Sequence, residues 1–121
     1  AVVEKYALRK FLRAKKPVIQ APIERGGGYL QGMFTNYPNS IDMTVRILQH
    51  SEMRKNPLMQ IDWGSVACCL IERHVMARLA WRYNPRSSQH ADIWFAVDCK
   101  NHDIPIFLSS EVDVKHLKKV S

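Results

Sequence analysis

Lys5, Arg9, Arg13 and Lys16 recur at i, i+4, i+8 and i+11, so on a helix their cations share one face. A phosphate backbone presents closely spaced negative charges. A row of cations at this spacing neutralises several of them and releases condensed counterions. Tyr6 lies on the same stretch and offers a ring for base stacking, a common companion of basic side chains in RNA recognition. The plainer alternative is a solvated helix face, because charge alone does not separate phosphate from any other polyanion. His74, Arg78 and Arg82 form a second stripe at i, i+4, i+8, with Arg73 and Arg86 nearby. Facing the first stripe, it would complete a basic groove; the competing expectation is local pairing with Glu72, Asp62 or strand carboxylates. Arg25, Lys118 and Lys119 are secondary candidates for phosphate contact.

Other groupings are weaker. Arg25-Gly26-Gly27-Gly28 lets backbone N–H groups approach a ligand, but neither the phosphate-loop nor the dinucleotide pattern follows, so a connection or turn is expected. Asp98-Cys99-Lys100 shares the form of the Asp/Glu-x-Lys element of metal-dependent nucleases, in which carboxylates hold the metal. Only Asn101–Asp103 then separate it from the next expected strand, which leaves no room for an intervening helix. His90, Asp92, His102 and Asp103 would converge on a metal if that segment folded back, yet their spacing matches no zinc pattern. No Ser-His-Asp or Cys-His grouping stands out. The expectation is therefore no catalytic residue, no metal and no cofactor.

The chain has 121 residues, 46% apolar and 24% charged, a size and composition for one globular domain rather than a disordered chain. It begins at Ala1 rather than Met, which points to a processed or excised piece of a longer protein. The longest apolar run, around Val66–Ile71, stops at Glu72, Arg73 and His74, far short of the roughly 18 residues of a membrane span. No secretory leader opens the chain. Eighteen Lys and Arg against 11 Asp and Glu give a net charge of +7, and the pI is about 9.6. Residues 1–60 hold ten basic and four acidic residues, a balance of +6, and residues 61–121 hold eight and seven, a balance of +1. The basic character is N-terminal, concentrated in Lys5, Arg9, Lys10, Arg13, Lys15 and Lys16. Such a pI on a small domain is the footprint of a nucleic-acid binder. Cys68, Cys69 and Cys99 are odd in number and two are adjacent, which argues against a disulfide framework. On a helix the adjacent pair would point about 100° apart, poorly placed to share a metal. Reduced, buried thiols in the cytoplasm or nucleus are expected.

These residues must be positioned by regular elements. Residues 2–16 lack Gly and Pro and are rich in helix formers. Val3, Ala7, Phe11 and Ala14, with Leu8 and Leu12 alongside, make a docking face, and Pro17 ends the helix. Val18–Ile23 fits a short strand that Pro17 and Pro22 confine to an edge. Tyr29–Thr35 reads as a strand and Asn36–Ser40 as a turn. Across 41–47, Ile41, Met43, Val45 and Ile47 alternate with polar residues, so one face is expected buried. Ser51–Pro57 reads as a loop. Asp62 or Ser65 would cap a long helix to about Tyr83, apolar round most of its circumference and largely covered. After the breaker Asn84–Ser88, Ala91–Cys99 alternates as a strand and Ile104–Leu108 returns across a Lys100–Asp103 turn. Ser110 and Asp113 have the form of a capping box for a short basic helix with Lys115, Lys118 and Lys119.

The expected fold is α+β: an antiparallel sheet of four to five strands covered by one long central helix, with N- and C-terminal helices. The expected function is non-enzymatic nucleic-acid binding, with RNA or single strands favoured because Tyr29, Phe34, Tyr37 and Trp94 are mixed with basic residues. The alternative is a protein-interaction or homo-oligomerisation module of a larger assembly, suited by an apolar helix and an edge strand open to pairing. No membrane partner is expected.

Overall fold

The computed structural model describes residues 2–3, 5–22, 24–25, 28–40, 42–64, 68–79, 91–112 and 114–115. In chain order the elements are β1 (Val2–Val3), α1 (Ala7–Ala14), β2 (Val18–Gln20), β3 (Glu24–Arg25), β4 (Gly28–Phe34), β5 (Met43–Leu48), α2 (His50–Lys55), β6 (Leu58–Ile61), β7 (Cys69–Ile71), α3 (Arg73–Arg78), α4 (Ala91–Asn101), β8 (Ile106–Ser109) and β9 (Val114–Lys115). The architecture is mixed α+β. A four-stranded sheet has the order β6-β8-β2-β7, a three-stranded sheet β3-β4-β5, and β1 pairs with β9.

Val18, Ile19 and Gln20 are buried on both faces of the sheet, which is why β2 occupies an inner position. It runs parallel to β8 and antiparallel to β7. Side-chain alternation then divides the interior in two. Val18, Ile106, Leu108 and Ile61 point to one face, where Met53, Val75, Leu79, Phe95, Ala96, Cys99 and Leu48 complete the larger core. Ile19 and Ala21 point to the other, where Ala7 and Phe11 of α1 and Val112 cover them, with Leu70 and Phe107 at the margin. The two larger sheets meet at Gly32, whose N–H donates to the Trp63 carbonyl at 2.9 Å while Trp63 N–H returns the bond at 3.0 Å. A side chain at Gly32 would lie 3.0 Å from the Trp63 ring and 3.1 Å from the Met43 sulfur.

Several expectations are corrected. The segment expected as one long central helix contains β7 and, after Glu72, the six-residue α3; a stretch apolar on all sides is equally the pattern of a strand covered on both faces. Ala91–Cys99 is the helix α4, not a strand. Its run Ile93–Val97 is apolar without a break, and Phe95, Ala96 and Val97 are all buried, so period-two alternation carries no information there. Ser51–Pro57 is mostly the helix α2. The sheet is mixed rather than antiparallel, because β8 enters beside β2 in parallel. The strand at 18–20 is central, not an edge: its two prolines fall outside the paired residues, and Pro17 contributes its carbonyl to Glu72 N–H at 2.9 Å. Val114 and Lys115 form a strand with Val2 and Val3, which replaces the start of the expected C-terminal helix. Its partner β1 shortens the N-terminal helix to Ala7–Ala14.

Burial is also redistributed. In β5, Val45 and Ile47 are 49% and 42% exposed, because β5 is the outer strand of its sheet and only Leu48 at its end reaches the core. Leu8 and Leu12 of α1 are 61% and 60% exposed. The helix docks through Ala7 and Phe11, and these leucines lie about 100° further round.

Candidate nucleic-acid interface

α1 lies on the outer face of the four-stranded sheet and stops where Lys15 adopts a left-handed conformation, φ 54°. Its docked side is Ala7, Phe11 and Ala14, so the i, i+4 geometry turns Arg9 and Arg13 outward; Lys5 lies in the turn just before the helix, and all three are exposed. Tyr6 is 51% exposed. The Lys5 ammonium lies 5.6 Å and the Arg9 guanidinium 5.5 Å from its ring centroid, within cation–π range. Lys16 extends the row toward the sheet, its Nζ 4.5 Å from the Phe107 ring centroid. Among the described residues, the salt bridges join Arg46 to Glu52, His74 to Glu72 and Lys100 to Asp62; none holds a cation of the α1 row. Lys10, on the flank, donates to the Glu111 carbonyl at 2.8 Å.

The remaining candidates do not join this row. Arg25 lies in β3, its backbone paired with Gly28 in a hairpin. Arg78 is exposed in the last turn of α3 and its guanidinium reaches toward the His102 carbonyl at 3.4 Å, beside the carbonyl end of α4. His74 pairs with Glu72 at 3.1 Å, the local pairing weighed for the second stripe. Arg82, Lys118 and Lys119 lie outside the described residues, as does His90. Among the described residues no group of three or more His, Cys, Asp or Glu side chains is placed to hold a metal ion. No helix there is long and apolar enough to cross a membrane.

Asp98-Cys99-Lys100 sits on α4, so its side chains fan round a helix rather than alternating along a strand. The helix ends in a Schellman turn: Asp103 N–H donates to the Lys100 carbonyl at 3.2 Å, Ile104 N–H to the Cys99 carbonyl at 2.9 Å, and Asp103 is left-handed at φ 54°. This turn sets Lys100 against Asp62, its Nζ 3.2 Å from Oδ1. The other Asp62 oxygen accepts the Phe34 N–H at 2.8 Å. Sequence reasoning missed this pair, because Lys100 and Asp62 are brought together only by packing of α4 against the end of β6. The cleft they share has a volume of about 370 Å³, and Tyr37, Gln60, Asp103, Ile104 and Pro105 are among its lining residues.

The thiols are chemically quiet. Cys69 and Cys99 are pushed up to about 12, in each case chiefly by burial, and burial raises Cys68 as well. So little thiolate exists near neutrality that nucleophilic or metal-binding roles are disfavoured. Cys68 and Cys69 belong to different cores, because neighbours at a strand point to opposite faces. Comparison of the chain with protein-family models, with curated proteins and with solved structures yields no match.

Proposed function

We propose that this protein is a non-enzymatic nucleic-acid-binding module that favours RNA or single strands. Lys5, Arg9, Arg13 and Lys16 supply the phosphate contacts, and Tyr6 supplies a stacking surface. The observation that carries this reading is the half-exposed Tyr6 ring with Lys5 and Arg9 against it, at the start of α1 and without carboxylate partners among the described residues. A ring edged by cations offers a strand both of the contacts it requires, a π-face for a base and positive charge for the adjoining phosphates. Arg25 and Arg78 are secondary contacts, as are Arg82, Lys118 and Lys119.

Filter-binding titrations against single- and double-stranded RNA and DNA test it. Four phosphate contacts on a single strand weaken binding by roughly 50-fold between about 50 and 200 mM salt. Replacing Arg9 and Arg13 together by Glu should abolish retention and flatten that dependence. Unchanged retention in that variant refutes the reading.

A second reading, a protein-interaction or self-association module, is favoured by β5, an outer strand whose Val45 and Ile47 are exposed. Its association would scarcely respond to salt. Sedimentation as a monomer at high concentration would remove self-association.

A further inference from the structure

The cleft beside α4 is built around a carboxylate that is almost out of water. The Asp62 side chain is 10% exposed and that of Lys100 is 41% exposed. Each Asp62 oxygen has one donor, Lys100 Nζ or Phe34 N–H, and each retains a lone pair for another. Lys100 has further N–H bonds beyond the one it gives Asp62. The cleft therefore offers acceptors and a donor side by side, with opposite charges that cancel. That pairing removes the demand for an ionic ligand, and Asp103 on the lining opposes an anion. Tyr37 on one wall and the aliphatic side chains of Ile61, Ile104 and Ile106 suit a flat ring. A volume of about 370 Å³ lies within the range of small-ligand sites, roughly 300–1,000 Å³.

The basic row and the cleft lie on opposite faces of the four-stranded sheet. Lys16 Nζ stands over Phe107, which packs with the α1 core, whereas Ile61 and Ile106 line the cleft from the other face. Gln60, on the outer strand β6, is paired with Phe107 and also lines the cleft, so a strand engaging both sites passes round this sheet edge.

We propose that this cleft receives a nucleobase that carries an exocyclic amino group. Asp62 accepts from the amino group and Lys100 donates to the adjoining ring nitrogen or carbonyl. The proposal rests on the nucleic-acid reading for its polymeric form, in which the base belongs to a strand whose phosphates lie on α1. The same chemistry admits a free nucleotide. Guanine, adenine and cytosine carry an amino group beside a ring acceptor, whereas uracil offers only a ring N–H flanked by two carbonyl oxygens, so that when one carbonyl accepts from Lys100 the other stands against the Asp62 carboxylate.

The test compares oligoadenylate, oligocytidylate and oligouridylate by fluorescence anisotropy, and 5′-GMP with 5′-UMP by NMR titration of the Ile104 and Ile106 methyl groups. Oligoadenylate and oligocytidylate should bind at least about fivefold tighter than oligouridylate, and GMP but not UMP should shift the methyl signals. Lys100→Met, a change at a half-exposed site, should erase the difference among strands while leaving the salt dependence intact. Asp62→Asn should do the same, but it weakens the acceptor for Phe34 N–H, so thermal melting must accompany it. Arg9→Glu with Arg13→Glu should weaken all three strands alike and leave the GMP shifts in place. Equal binding of the three strands, or a preference that survives Lys100→Met, overturns the base pocket and leaves the α1 reading standing. GMP shifts without retention of any strand keep the pocket as a free-nucleotide site and overturn the α1 reading. Neither signal overturns both.

Discussion

Tyr6 stands half in solvent with Lys5 and Arg9 near its ring. Removing it should therefore alter binding without altering stability. Tyr6→Ala is expected to weaken single-strand retention by about 1–3 kcal/mol and to leave the unfolding free energy within about 0.5 kcal/mol of the parent; anisotropy and urea titration check the two halves separately. The buried thiols make a different expectation. Cys99 is raised from 9.0 to about 12 by burial, so the unfolded chain releases this proton first as pH rises. Stability from Cys99 is complete below 9.0 and is lost progressively toward about 12. Urea midpoints measured across that interval should fall less steeply in Cys99→Ala than in the parent. At this scale helical spacing placed Arg9 and Arg13 together on an exposed face of α1, whereas Lys5 and Lys16, expected on the same helix, lie just outside its ends. The relation of Arg9 to Tyr6 was also legible, both lying within one turn. The Asp62–Lys100 pair was not, because no local rule connects two residues that far apart in the chain.

α1 is a short helix whose attachment depends on Ala7 and Phe11 seated against Ile19, Ala21 and Val112. Phe11→Ala is expected to cost about 3–5 kcal/mol, and because α1 carries the basic row, it should reduce nucleic-acid retention in proportion to the unfolded fraction seen by circular dichroism. The other end of the helix offers the opposite change. Lys15 is left-handed at φ 54°, a conformation that strains a side chain and not glycine. Lys15→Gly should raise stability by about 0.5–1 kcal/mol, read as a higher melting temperature, and Lys15 lies outside the proposed contact row. The elements divide cleanly by how they announced themselves. β4 was legible between a glycine break and a turn, β5 from alternation, and α1 from composition and Pro17. The long helix and the second hairpin were misread because uninterrupted apolar runs suit a buried strand and a buried helix alike. Only the neighbours available on each side decide which forms.

The whole molecule is organised by the two inner strands of one sheet, β8 and β2, and one backbone joint. β2 separates the two cores, and Gly32 lets Trp63 approach closely enough for reciprocal hydrogen bonds between the two larger sheets. Gly32→Val would push a branched side chain against the Trp63 ring and the Met43 sulfur. Overpacking of this kind costs about 1–3 kcal/mol, and here it also strains the joint that brings Asp62 to Phe34 and Lys100. The variant should therefore lose discrimination among strands before it loses salt-dependent retention, measured by the same anisotropy titrations.

By itself the sequence determined an α+β chain, the outward placing of Arg9 and Arg13 on its first helix and the positions of several strands, because these follow from local spacing and backbone preference. Tertiary structure alone decided that residues 18–20 lie inside a mixed sheet, that Val45 and Ile47 stay exposed on an outer strand, and that Asp62 and Lys100 share a cleft. Sheet order and burial depend on contacts between segments distant in sequence, and the free energy of those contacts is set by partners that no single stretch of residues contains.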